Sequence, residues 1–368
     1  MEIAQRILAQ FLLVIMKAKS QLKPKCLWQV NVAPIRSKQR ALLLACLALH
    51  LLLLLPLPVL AKKQSDSPNN GSAQRVAVVK PQVRYLNFPE RSVGFVQAYT
   101  FDPSGFDFGT TRIANACGRV AVPAAAECGL VVNYDGAQDL SFLNKLPPGA
   151  LVVLQCNNFE ISDEQFLSIN HLEKMKVLEL SSTDIGNRGF EQLKNCSNLV
   201  ELVMPSCLIT GPALASLKDV TTLKRLAVDH NDLDDASLAS LKGLKNLLAV
   251  RLQACKIGDA GLAHLKGCQR LTHIDIGQNK KISDNCLPTL LSFKNLVHLD
   301  LTDTSVTIVG FRQLSKLPKL RHFGLAFSSV SEKQLAELRR LMPNCQIINT
   351  RAGKVPLDVF EPISKRSK

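Results

Sequence analysis

The 368-residue sequence has no G-x-S-x-G elbow, no H-E-x-x-H pair and no G-x-x-x-x-G-K-[ST] loop. Those absences remove the common signatures of serine hydrolases, zinc peptidases and P-loop nucleotide enzymes. The stretch GFDFGTT, Gly105 to Thr111, lacks the lysine and the strand–helix context of a phosphate cradle and reads as a loop. The body of the chain also lacks an excess charge of one sign. The net charge is +15, but residues 1–63 hold ten Lys or Arg against one acidic residue, and residues 351–368 hold five against two. Residues 64–350 carry 30 basic and 27 acidic residues, close to balance. Nucleic-acid binding needs a basic face on the fold itself, so no nucleic-acid partner is expected.

What is present is a repeat. The residues Leu151, Met175, Leu199, Leu223, Leu247, Leu271, Leu296, Leu320 and Cys345 recur every 24 or 25 positions. Each opens an apolar alternation, as in Leu271-Ile274-Ile276 or Leu296-Leu299-Leu301. A small polar or thiol residue follows: Thr183, Cys207, Asn231, Cys255, Asn279, Thr304 and Ser328. This spacing matches L-x-x-L-x-L-x-x-N/C-x-L, so residues 151–350 resemble leucine-rich repeats. Within that class the blocks are similar to bacterial and F-box-associated repeats. LQACKIGDAGLAHLKGC, Leu252 to Cys268, shows it best.

The resemblance implies an α/β leucine-rich-repeat solenoid, with a parallel concave sheet and helices on the convex side. The physical reading agrees. Period-2 alternation at the start of each block predicts a strand, and apolar residues three or four apart, such as Leu262 and Leu265, predict a helix. Ser162 with Gln165, and Ser331 with Gln334, fit capping boxes. Asn231 and Asn279 are expected to donate to neighbouring carbonyls inside the turn.

Alternation also assigns an outward-facing column on the concave side: Val153, Val177, Glu201, Arg225, Ala249, His273, His298, His322. A second column reads Gln155, Glu179, Val203, Ala227, Arg251, Asp275, Asp300, Gly324. The three histidines therefore stand in a row, with aspartates beside two of them. One reading is a metal-binding or enzymatic site at His273, His298 and His322. The other is a polar stripe produced by the repeat and facing a partner. Stacked imidazoles disfavour joint protonation while the aspartates favour it, so the row is expected to respond to pH.

The flanks divide by composition into a basic leader (1–40), a membrane or signal segment (41–61), a flexible linker (62–81), a β-rich cap (82–150) and a basic disordered tail (351–368). Ala41 to Ala61 carries no formal charge over 21 residues and follows Arg36, Lys38 and Arg40. That length spans a bilayer, with the amino end cytoplasmic. Pro56, Pro58 and the small residue Ala61 equally fit a signal cleaved after Ala61, and the start is Met1 or Met16. Cys128 to Asn133 is expected to be a strand extending the sheet, and Asp139 to Leu146 a helix. Of the eleven cysteines, only Cys117 and Cys128 are placed to pair; the repeat cysteines fall on inward positions.

The function class this favours is a non-catalytic binding scaffold, exported or membrane-anchored, without a cofactor. A structural envelope protein that packs against its own copies is the alternative outside enzymes. The expected contact residues for a protein partner are Glu179, Glu201, Arg225, Asp229, His230, Arg251, His273, Asp275, His298, Asp300, Asp303, Arg321, His322 and Phe327. The aromatic Phe327 is singled out as an anchor.

Overall fold

A computed structural model describes residues 82–101, 108–167, 169, 172–326 and 330–350, all within one compact unit, Val78–Lys368. The leader, the apolar run Ala41–Ala61, the linker, the tail and Phe327 lie outside the described residues. No helix among the described residues is long and apolar enough to cross a membrane.

Nine short strands recur at the repeat period. They are β6 (Val153–Gln155), β7 (Val177–Glu179), β8 (Glu201–Val203), β9 (Arg225–Ala227), β10 (Ala249–Arg251), β11 (His273–Asp275), β12 (His298–Asp300), β13 (His322–Ala326) and β14 (Gln346–Thr350). Each pairs in parallel with the next. The middle residues Leu154, Leu178, Leu202, Leu226, Val250, Ile274, Leu299, Phe323 and Ile347 stack in register and point into one core. Leu226 is wholly buried, which stabilises the fold by about 1.5–3 kcal/mol relative to exposure. No block has a partner for this face except the next block. The chain is an α/β leucine-rich-repeat solenoid.

At the amino-terminal end lie β1 (Val83–Asn87), β2 (Gly94–Phe101), β3 (Phe108–Asn115), β4 (Arg119–Pro123) and β5 (Glu127–Val132). β5 pairs in parallel with β6, and β2 and β3 add antiparallel, giving a twelve-stranded sheet among the described residues. β1 and β4 form a separate antiparallel pair. Leu86, Val120 and Val122 join the same core as the repeats. Thr110 and Thr111, read from sequence as loop, belong to β3; the nearby Gly and Asp residues hide its alternation. The expected helix at Asp139–Leu146 is a 3-10 turn at Leu140–Lys145, capped by Asp139, and a separate helical turn at Tyr134–Ala137 precedes it.

The convex side also departs from expectation. Among the described residues two blocks cross wholly in 3-10 turns, Gly211–Leu217 and Ala236–Leu241, and five join an α-helical turn of four to six residues to a 3-10 turn. Leu214 with Leu217, and Leu238 with Leu241, are three apart and fully buried, the spacing that a 3-10 turn eclipses. Glu332–Leu341 is a ten-residue α-helix with the Ser331–Gln334 capping box in place. Ser162 and Gln165 exchange the same pair of bonds.

Two devices hold the blocks in step. Asn231 Nδ2 lies 2.8 Å from the Met204 carbonyl and 2.9 Å from that of Val228, while its Oδ1 accepts from Cys207 N at 3.0 Å. Asn279 repeats the donor half, to Leu252 and Ile276. The second device was not foreseen. Asp163 accepts from Gly186 N and Gly189 N of the next block, Asp235 from Gly258 N, and Asp284 from Thr307 N. A Cβ on Gly189 would meet the Asp163 carboxylate at 2.6 Å, and one on Gly261 would meet Asp235 at 2.5 Å. These contacts lock neighbours together: the aspartate of one block reaches into space that the glycine of the next leaves open.

Asn158, Ser182, Ser206, His230, Ala254, Gln278 and Asp303 all have left-handed backbones, one per block at the strand-to-turn bend. The bend demands this conformation whatever the side chain, although it disfavours non-glycine residues.

Candidate functional site

The concave face bears both predicted columns in the expected register. Ala249 pairs with His273, His273 with His298, and His298 with His322; Arg251 pairs with Asp275, and Asp275 with Asp300. The face divides into three zones along the solenoid.

Near the amino-terminal end it is aromatic and apolar. Tyr99, Val153 and Val177 cluster, with Phe101 and Val152 against them. The Tyr99 and Phe101 rings stack at 6.2 Å, and Lys176 Nζ sits 4.9 Å from the Phe101 centroid while pairing with Glu127. Tyr99 donates to Gln97 Oε1 at 2.7 Å. Burial, and then the Glu179 carboxylate, hold its hydroxyl well above the ordinary phenol range. Gln155 donates to Glu179 at 2.8 Å.

The middle zone is ion-paired. Arg225 pairs with Glu201, both essentially inaccessible to solvent, and Arg251 Nε donates to Asp229 at 2.6 Å. Between them lie the small residues Val203, Ala227 and Ala249.

The third zone is the histidine row. The His273 and His298 rings stack at 4.1 Å and 18°, and those of His298 and His322 at 4.2 Å and 13°. Near-parallel rings set their nitrogens side by side, whereas a tetrahedral site needs them to converge. Among the described residues no group of three or more His, Cys, Asp or Glu is placed to hold a metal ion. Desolvation, then His298 and His322, bring His273 down to about 3; desolvation and His322 bring His298 down to about 4. The aspartates expected to offset this do not figure among the causes. Asp275 moves the other way, raised by burial and then by the Asp300 carboxylate.

These shifts fix a pH dependence. A free imidazole titrates near ~6.5 and a free aspartate near ~3.9. His273 and His298 lie below the free value in the fold, so their contribution is full above pH ~6.5 and is lost as pH falls toward their folded values. Asp275 lies above the free value, so its contribution is full at low pH and is lost as pH rises. Two imidazoles outweigh one carboxylate between these limits. The urea midpoint is therefore expected to be lower at pH 5 than at pH 7, and His298→Gln should narrow the gap. An unchanged gap in that variant would show that the stack does not couple to stability.

Burial corrects the contact set. Glu179, Glu201, Arg225, Asp229, His273, Asp275 and Asp300 are buried, because alternation names the face of a residue but not its crowding. Arg251, His298, His322 and Asp303 are half-buried, and His230 and Arg321 are exposed. His230 and Asp303 sit at the left-handed bends beyond the strand ends and outside the columns. What sequence reasoning missed is the aromatic zone: Tyr99 and Phe101 lie on β2, outside the repeats, and only its pairing with β5 brings them beside Val153 and Val177.

Among the described residues the cysteines form no disulfide. Cys117 is exposed with its thiol 2.7 Å from the Glu90 carbonyl, while Cys128 is buried and free. Burial pushes the Cys255 and Cys286 thiols up to about 12 and that of Cys268 to about 11, so these thiols stay protonated at neutral pH.

No family model matches the sequence, and no curated protein matches it either. Among solved structures it is similar to internalin C2 from Listeria monocytogenes str. 4b F2365. The identity is 18% and the TM-score 0.36, over 58% of this chain and 92% of that one.

Proposed function

We propose that the chain is a non-catalytic scaffold that binds a protein partner on its concave sheet face. One observation carries this reading. The strands set side chains in fixed register over twelve strands, grading from aromatic through ion-paired to histidine-rich. A graded, rigid face of this kind suits an extended protein surface, since aromatic anchors supply binding energy and a polar border supplies register. The half-buried and exposed residues Arg251, His298, His322, Asp303, His230 and Arg321 are the polar contacts on this reading, with the half-buried Phe101, backed by the buried Tyr99, at the other end. Phe327 remains a proposed anchor. The scaffold acts outside the cytoplasm, held by Ala41–Ala61 or released by cleavage after Ala61.

The test is affinity capture from the native host with the wild-type chain, with Arg251→Glu/His322→Glu and with Leu208→Asp. Leu208 is exposed away from the strands. The expected result is one protein recovered at similar yield by wild type and Leu208→Asp, and at least tenfold less by the concave-face variant. Equal recovery by all three would overturn the reading. Recovery of the chain's own copies, lost in the concave-face variant, would make the partner a second copy.

A further inference from the structure

The balanced charge of the body hides a separation. Because the repeat strands are parallel, every segment that enters a strand lies on one rim of the solenoid and every segment that leaves a strand lies on the other. The entering segments are 194–198, 218–222, 242–246, 266–270, 292–295 and 315–319. They carry nine exposed Lys or Arg side chains and one exposed acid, Asp219. Three of the nine are engaged: Lys194 pairs with Glu191, Arg270 donates to Asn246 and Lys319 donates to Asn295. The side chains of Lys218, Lys242, Lys245, Lys266, Lys294 and Lys316 have no hydrogen-bond or ion-pair partner among the described residues.

These segments are stacked in step. Asn198 Nδ2 donates to the Glu173 carbonyl, Asn246 Nδ2 to that of Thr221 and Asn295 Nδ2 to that of Gln269, one block back in each case. A Cβ on Gly267 would meet the Lys242 carbonyl oxygen at 2.8 Å. Neighbouring strands lie about 4.8 Å apart, so the six lysines, spread over five blocks, form a row about 20 Å long. Neighbours in the row lie within a Debye length of about 8 Å, and their potentials add.

The chain's own carboxylates do not answer this row. On the opposite rim Asp163, Asp235, Asp259 and Asp284 accept from backbone N–H groups of the next block, and Asp232 pairs with Lys256. A countercharge for the row therefore comes from outside the chain. The other side chains of the rim narrow its chemistry. Ser197, Thr221, Gln269 and Ser315 are exposed beside the lysines, and no large exposed apolar side chain among the described residues lies on these segments. A protein partner would find no apolar anchor there, and a single-stranded nucleic acid no aromatic platform. A polysaccharide bearing carboxylate or sulfate groups needs neither. It offers anions at intervals to the lysines and hydroxyls to the Ser, Thr and Gln side chains. We infer that this rim binds a linear acidic polysaccharide laid across successive blocks, on a surface separate from the concave face.

The experiment uses the full chain, with heparin as the probe, at about 0.15 M salt. Lysines are acetylated with an N-hydroxysuccinimide ester, and the rate at each is read by mass spectrometry. Reading each lysine separates the rim from the basic residues of 1–63 and 351–368. The expected result is roughly threefold or slower acetylation of Lys218, Lys242 and Lys266 when heparin is present, reversed at about 1 M salt. Lys256 and Lys281, exposed on the opposite rim, should not change. Lys218→Glu/Lys242→Glu/Lys266→Glu should abolish the protection of Lys245 and Lys294, and its Tm should match wild type because the three side chains are exposed. No protection of the rim, or equal protection of both rims, would overturn the inference. Stronger protection by duplex DNA or polyglutamate than by heparin, at equal charge concentration, would assign the rim to a nucleic acid or an acidic protein segment and overturn it as well.

Discussion

Arg225→Ala is expected to lower the stability of the repeat unit by about 3–5 kcal/mol, more than loss of an exposed ion pair would. Arg225 and Glu201 sit one block apart on β9 and β8, at 1% and 0% side-chain exposure. Removing the guanidinium leaves the Glu201 carboxylate with its main countercharge gone and water largely excluded. The double variant Glu201→Leu/Arg225→Leu deletes both charges and keeps apolar bulk, so it should regain most of the loss. Urea melts followed by far-UV circular dichroism read the three proteins. A loss below about 1 kcal/mol in the single variant would mean that solvent screens the pair as it does a surface bridge.

Asn231→Ala should cost about 3 kcal/mol. Its amide serves carbonyls of two successive blocks and accepts from the backbone of Cys207, so alanine leaves several buried backbone groups without this partner, at about 1–3 kcal/mol each before relaxation. The repeat provides its own control. Thr304 holds the equivalent position but bonds only the Leu301 carbonyl. Thr304→Ala should therefore cost about 1 kcal/mol. Equal losses at the two positions would show that the amide works as a space-filler and not as a bridge.

Much of this fold is legible in the sequence, because a 24-residue period fixes the register. Once Leu154, Leu178 and Leu202 are aligned, parallel pairing places every other strand residue, and the histidine row follows. The Asn231 ladder is legible for the same reason: an amide at a buried turn has carbonyls on both sides. The tight convex turns are less legible, since leucines three apart suit an α-helix and a 3-10 turn alike. The Asp163–Gly189 lock spans two blocks, so neither residue explains itself alone. Exposure was the main loss. A strand pattern shows that Glu201 and Asp300 share a face with His298, but only packing shows that the first two are buried and the third half-buried. The apparent loop at Thr110 is a strand because β2 offers it an edge, which the local sequence does not reveal.

Site-specific photocrosslinking in the native host tests the concave-face account most directly. A benzophenone side chain is placed at His322, half-buried on β13, and in a second protein at Ser216, on the convex turn Gly211–Leu217. The account predicts one dominant crosslinked partner from position 322 and none from position 216. A partner captured from position 216 and absent at 322 would put the binding surface on the convex side and contradict it.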